Sequence, residues 1–417
     1  MIDRADASTS NPRYSVDFRW MMIADCVLSM GLDLTYNQPL ILSSVTGSWY
    51  SMDSSPRGML QLRAEETVNL ACPTHPDGVN DFANFPNKNV LQAKCKSGNN
   101  FEIEKKVYSF DRLQCRNQVK PTTQNTGLPC SAGLSELIKI GYTISGTFLP
   151  VYEACFDKDK KGTIFTEMEL SPNYAKNDAP VPESTWVRDN LFGTANLNEE
   201  YTCNSQRDTF YKILGKQYFQ PGDTCCYAKS KFVDSRDLVY DTQRVATYHY
   251  LNSVPQWSTC NNRANWVEVE NRVRRLVSNL QRPLRVWTGT FRIVNLRNKW
   301  LLLHSDMYLH YNSKTDRAQP IPLYIWKVVH DPQTRRSLAI IYINKPDLVQ
   351  SNIESYVLCQ DVCQNVNWMN FLSRQTVASG YVYCCDLNDF EFGFHITNSP
   401  FPKNAGAILR DDSHSSW

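Results

Sequence analysis

Lys229-Ser230-Lys231-Phe232, then Asp237-Leu238-Val239-Tyr240, then Asn252-Ser253-Val254-Pro255-Gln256-Trp257 and Asn262-Arg263-Ala264-Asn265-Trp266 make up the stretch on which the fold of this chain turns. Directly after it, Trp266, Val269, Val273, Leu276 and Leu280 recur at helical spacing. That spacing predicts a helix with Glu270 and Arg274 one turn apart on a shared face. Pro283 marks where the helix should stop. Positive charge concentrates in the same region: residues 201–300 carry 16 Lys and Arg against 7 Asp and Glu, in a chain of net charge +2. A basic block on an otherwise acidic chain is what a polyanion site needs, although many charge runs are only solvated faces.

The 417 residues, 42% hydrophobic, suffice for a large core. Residues 1–35 read as a leader, in which Trp20 to Leu32 is similar to the short apolar core of an export signal interrupted by Asp25. Residues 36–132 read as a β subdomain of short strands such as Met59–Leu62 and Thr67–Leu70, separated by turn residues. The main domain is expected over 133–397, with a Pro- and Asn-rich loop over 171–200, and 398–417 as a loose tail. Together these predict an α+β architecture with mixed or antiparallel sheets. The 14 cysteines are spread from Cys26 to Cys385, too widely for one metal cluster, and point to disulfides in an oxidising compartment. A zinc site from Cys359, Cys363, Cys384 and Cys385 is the alternative. Adjacent Cys225-Cys226 and Cys384-Cys385 are each expected to join two different partners. No run is long enough to span a bilayer, and no Asn-x-Ser/Thr sequon occurs.

The motif series resembles the DNA/RNA non-specific endonucleases with a ββα-metal finger, and more closely their secreted arthropod branch. Lys229-Ser230-Lys231-Phe232 stands where that branch has an Arg-Gly-His-Leu motif, at the matching distance before Asp237-Leu238-Val239-Tyr240. The likeness continues through Arg244 to Asn252, Pro255-Gln256-Trp257, Asn262 to Trp266, Glu270 and Arg274, and through Trp287-Thr288-Gly289-Thr290, Tyr324 to Val329 and Tyr383-Cys384-Cys385. It covers nearly everything from residue 40 to 390. The resemblance implies phosphodiester hydrolysis with one divalent ion, usually Mg²⁺, held by water and one asparagine oxygen. Asn262 matches that ligand, with Asn261 as its rival because the segment after Pro255 is one residue longer than the pattern. It implies that Asn252 and Glu270 support metal-bound water. Lys229, Lys231, Arg244, Arg272 and Arg274 are expected to reach phosphate.

The departure from the pattern is Lys231, at the general-base position. An unperturbed lysine has a pKa of about 10.4 and is a cation at neutral pH, a poor base but a good phosphate contact. A metal and Lys229 would push its pKa down while bound phosphate would push it up, so Lys231 is expected to stay charged. His249 is the candidate substitute base. Tyr240, Tyr248, Tyr250, Trp257 and Trp266 are candidates for base stacking, with about one of them expected to touch a ligand. Asp157 to Gly162 mimics the start of a calcium loop but lacks the glutamate that position twelve requires, since Met168 stands there. The reading that follows is a secreted protein, similar to degenerate salivary members of this fold in blood-feeding flies, that binds single- and double-stranded DNA and RNA and cleaves weakly. The alternatives are an active Mg²⁺-dependent nuclease, digestive or salivary, and a storage protein with no ligand.

Overall fold

The computed structural model describes residues 25–34, 38–53, 55–74, 78, 80–177, 179–219, 225–257, 264–299, 304–396 and 398–413. Its spine is a sheet whose spatial order largely follows the chain: Thr122–Asn125, Ser135–Ile144, Thr147–Asp157, Gly162–Leu170, Leu284–Ile293, Pro322–Asp331, Arg336–Ile343 and Val382–Cys385. Each of these strands is antiparallel to its neighbour. Alternation along the strands serves two cores, as the two-residue period of a pleated strand requires. Ile325 and Val329 join one core while Tyr324, Trp326 and Val328 join the other.

Residues between Leu170 and Leu284 leave the sheet and return to the adjacent strand, and this excursion carries the motif series. Within it Tyr227–Lys231 pairs antiparallel with Ser253–Trp257, and the helix Ala264–Leu280 follows, giving the ββα unit. The helix forms where the apolar spacing predicted it and ends three residues before Pro283. Its Trp266, Val269, Val273, Leu276 and Leu280 pack on the sheet with Ile140, Tyr152, Leu284, Ile325 and Ile340.

The N-terminal unit is a five-stranded sheet over 40–109 plus the pair Cys26–Ser29 with Met59–Leu62, stapled by Cys26–Cys95 and Cys72–Cys115. Three expected boundaries are corrected. The leader does not extend to 35, because alternation buries Cys26 and Leu28 in a strand; residues 1–24 lie outside the described set. The main sheet begins at Thr122, ahead of 133, since Thr122–Asn125 pairs with Ser135–Ile144. The segment 398–413 is packed: Phe401 and Leu409 are buried, and Ala407–Ile408 adds in parallel beside Arg336 and Ser337. These side chains are apolar and find places at the sheet, which holds the segment down.

Cys384 and Cys385 join Cys363 and Cys359, so each adjacent cysteine has its own partner and the zinc alternative falls: disulfide sulfurs have no thiolate to offer a metal. Cys130–Cys155 and Cys203–Cys226 are also bridged, and Cys225 is disulfide-bonded. Among the described residues no helix is long and apolar enough to cross a membrane. Asp157 to Gly162 forms a strand-to-strand turn in which the Asp157 carboxylate accepts from the backbone of Asp159 and Lys160 and from the Lys160 amine.

Candidate active site

Lys229 and Lys231 stand two residues apart on the first finger strand and so share a face, opposite Pro255 and Ser253 of the second. That face, the turn Asp234 to Arg236 and the first turns of the helix enclose a cleft of about 260 Å³, lined by Lys229, Lys231, Arg236, Tyr248, Gln256 and Glu270 among others. Among the described residues, no histidine lines it.

The Lys231 amine donates to Ser235 Oγ at 2.7 Å and Thr247 Oγ1 at 2.9 Å and lies 3.2 Å from the Tyr248 ring centroid. Burial pushes its pKa down to about 7, against the opposing pull of Asp234. Desolvation, rather than the neighbouring lysine, is what lowers it, while a bound phosphate would favour the charged form that the sequence reading expects. Lys229 donates to Tyr250 Oη at 3.0 Å and lies 4.6 Å from the centroid of Trp186, and burial lowers it to about 8. Aromatic faces attract a cation, so these rings hold both amines in place whenever they are protonated.

Gln256 was part of the quoted motif but was assigned no role. Its side chain is 1% exposed, lines the cleft, and has neither its amide oxygen nor its amide nitrogen hydrogen-bonded. A buried amide left unpaired costs about 1–3 kcal/mol, which a ligand offering both a donor and an acceptor would recover. No periodicity marks such a residue; only its missing partners do.

Beside the cleft, charges interlock. Arg236 pairs with Asp234 and reaches Glu270 at 3.4 Å, while Arg274 donates to Asp237 at 2.6 Å. Burial pushes Glu270 up to about 8, with Asp234 adding to the effect, because Arg236 gives its close contacts to Asp234. Asp234 is half-buried, and desolvation would raise it, yet the Arg236 hydrogen bond and the Arg274 charge hold it well below the carboxylate range. Lys327 shares a sheet face with Ile325 and Val329, is buried, donates to Thr288 Oγ1 at 2.6 Å and is lowered by burial. The sequence reading missed Arg236, Asp234 and Lys327; a lysine among alternating apolar strand residues was the one available signal for the last.

Several expected roles are corrected. Asn252 is fully buried, donates to the carbonyls of Val233 and Thr247 at 2.9 Å and accepts from Val233 N at 2.8 Å. These bonds fix the loop that follows the first finger strand and leave the side chain no route to a water in the cleft. Arg274 is 6% exposed and committed to Asp237 and Asn271, so it is no open contact for a phosphate in the cleft. Arg244 is buried and donates to Asp241 and to the Ala179 carbonyl. Arg272 pairs with Glu268, donates to the Trp368 carbonyl and covers Phe371, and it does not line the cleft. His249 is 1% exposed, its Nδ1 accepts from Leu251 N and burial lowers it to about 4, so it is a neutral structural group and no substitute base. Of the five aromatic candidates, Tyr240 and Tyr250 are core, Trp257 packs on Phe219, and Tyr248 and Trp266 line the cleft. Asn262 and Asn261 lie outside the described residues. The Glu270 carboxyl and the unpaired Gln256 oxygen are hard donors that suit a divalent cation.

The model of the DNA/RNA non-specific endonucleases matches residues 134–390. The salivary endonuclease of Lutzomyia longipalpis is 26% identical over 373 residues, covering 88% of this chain and 82% of that protein. The salivary protein Tsal1 of Glossina morsitans morsitans is 25% identical over 341 residues, covering 74% and 80%. The salivary endonuclease of Culex quinquefasciatus is 24% identical over 222 residues, covering 52% and 54%. Among solved structures, a chain of the EndoG/EndoGI complex matches 49% of this chain and 80% of its own length at 16% identity and a TM-score of 0.33, too low to guide a superposition of sites. With the family matched across most of the chain and the ββα unit in place, this chain belongs to the DNA/RNA non-specific endonuclease family.

Proposed function

We propose that this protein is a secreted nucleic-acid-binding member of the family, gripping DNA and RNA by their phosphates with little sequence preference, and that its cleavage step is weak. One observation carries the reading: among the described residues the cleft presents Lys231 and no histidine. A positioned base contributes about 10²–10⁴-fold in such reactions. Lys231 and Lys229 supply two amines on one face of the finger strand, suited to successive phosphate oxygens, and phosphate contacts carry no sequence information. Secretion is supported by the disulfides and by the salivary relatives. A divalent cation such as Mg²⁺ would offset charge on the scissile phosphate; Glu270 and Gln256 are the described donors suited to it, and Asn262 or Asn261 is the ligand that the family resemblance assigns. Glu270, poised near neutrality by burial, would hold or release a proton at its carboxyl oxygen, and Gln256 would orient the bound group.

The test is a titration of supercoiled plasmid with purified protein and Mg²⁺, read for mobility shift and nicking. The expected result is a shift at near-stoichiometric protein, slow nicking abolished by EDTA, and a shift that survives EDTA. Complete digestion at trace protein would sink the binding reading in favour of a full nuclease. DNA neither shifted nor cut would remove both.

The burial of Lys231 favours a second reading, in which its neutral amine is itself the residual base. A base works only when deprotonated, so cleavage must rise with pH. The inflection in kcat/KM, which reports the free protein, is expected at about 7. That in kcat is expected higher, because bound phosphate favours the cation. In Lys231→Met this limb should vanish; an unchanged profile would exclude the amine as base.

A further inference from the structure

We propose that a cavity separate from the cleft binds a nucleoside monophosphate, with its base on Gln319 and its phosphate on Arg292. The cavity is about 360 Å³, within the range of about 300–1,000 Å³ usual for small-molecule sites. Its walls are mostly apolar, with Phe232, Val254, Pro255, Phe291, Pro320 and Pro322 among them. Among the described residues it shares none of its lining with the cleft.

Gln319 marks the inner end. It is 2% exposed, and its amide nitrogen donates to Tyr201 Oη at 3.0 Å and to the Ser253 carbonyl and Oγ at 2.8 and 2.9 Å, which fixes the orientation of the amide. The amide oxygen is left buried with no hydrogen-bond partner. A buried acceptor left unpaired is costly, and an N–H of a ligand would satisfy it. Arg292 marks the open end: it is exposed, its guanidinium lies 5.2 Å from the Phe291 ring centroid, and it makes no ion pair among the described residues. The other two charges of the wall are spent on each other, since Asp157 accepts from the Lys160 amine at 2.8 Å as well as from the backbone of Asp159 and Lys160.

The backbone gives an independent sign. Among the described non-glycine residues with positive φ, only Arg292 (φ +53°) and Gln319 (φ +56°) lie inside strands, and both line this cavity. Such conformations are costly for residues with a side chain and gather at ligand sites. The ligand these features describe has an N–H donor at its inner end, a flat apolar body and an anionic group at its outer end. A nucleotide whose base carries an exocyclic amine has all three. A fatty carboxylate lacks the inner donor, and inorganic phosphate lacks the body.

The test is calorimetric titration of the full protein in EDTA with adenosine monophosphate, with ribose 5-phosphate, which lacks the base, and with purine riboside monophosphate, which lacks the exocyclic amine. Arg292→Asn removes the charge with a residue that tolerates the left-handed backbone, and Arg292→Lys keeps the charge. Adenosine monophosphate is expected to bind about tenfold more weakly to Arg292→Asn, with part of the loss recovered in Arg292→Lys, and purine riboside monophosphate about fivefold more weakly to the unaltered protein. Binding of adenosine monophosphate should persist in Lys231→Met. Its loss there together with full retention in Arg292→Asn would place the nucleotide in the cleft and overturn the proposal. So would equal affinity for ribose 5-phosphate, or no binding of adenosine monophosphate at all. Displacement of the nucleotide by a 5′-phosphorylated oligonucleotide supports the site with a strand end as its source, and no displacement supports it with the free nucleotide. Duplex binding, measured separately, tests the nucleic-acid reading of the cleft and should be equal in Arg292→Asn and the unaltered protein, so either idea can fail without the other.

Discussion

Replacing Lys231 by histidine is expected to raise Mg²⁺-dependent plasmid cleavage by about 10²–10⁴-fold. An imidazole has an ordinary pKa of about 6.5 and is mostly neutral at the working pH, whereas a lysine must lose a proton it holds more tightly once phosphate is bound. The position is prepared for a polar ring: Ser235 Oγ and Thr247 Oγ1, which now accept from the amine, are bonded to each other at 2.6 Å and can orient an imidazole nitrogen. The same change removes a cation from the cleft, so duplex binding should weaken and its salt slope should fall by up to about 0.9. Activity and affinity moving in opposite directions is the signature. It is read from initial nicking rates and from binding in EDTA on the same preparation. A folded Lys231→His protein that cuts no faster would show that the missing base is not what limits the reaction.

Arg274→Met is expected to destabilise the fold by about 3–5 kcal/mol, the range for removing one partner of a buried ion pair. The guanidinium is 6% exposed, donates to Asp237 at 2.6 Å and stands 3.6 Å from Asp234. Its loss leaves Asp237 buried without its principal counter-charge. Burial already raises the pKa of Asp237, so in the variant that carboxyl should take up a proton. Denaturant unfolding with the disulfides intact gives the stability loss. Adding Asp237→Asn should return part of it, because the orphaned charge is removed and the two residues touch. If Arg274 were instead chiefly a phosphate contact in the cleft, the single variant would unfold normally and lose about 0.9 in salt slope. Lowered stability with cleft binding of a dinucleotide retained is the expected outcome.

Much of the frame was legible before any coordinate. The spacing of Trp266, Val269, Val273, Leu276 and Leu280 gives the helix because only a 3.6-residue period puts all five on the sheet. The separate partners of Cys384 and Cys385 followed from adjacency alone. Roles within the site were harder to read, because burial depends on residues distant in the chain. Asn252 and Gln256 are both buried polar residues of one motif series. One has its hydrogen bonds filled by Val233 and Thr247 and the other has none, and nothing in their types or positions foretells which. The leader and tail were misjudged for the same reason, since Leu28 and Leu409 find buried places that only the folded sheets create.

The sequence by itself determined the family, the ββα order and the place of Lys231 in the motif series, where the family resemblance leads one to expect a histidine, because these are properties of residue identity and spacing. Only the tertiary structure decided what that lysine is. Half-buried against Tyr248, Ser235 and Thr247, the amine has its pKa brought down to about 7 by desolvation. The structure likewise turned Arg274 from an expected phosphate contact into a buried counter-ion and revealed the unpaired Gln256. Charge and hydrogen bonding are set by solvation and distance, which exist only once remote segments have met.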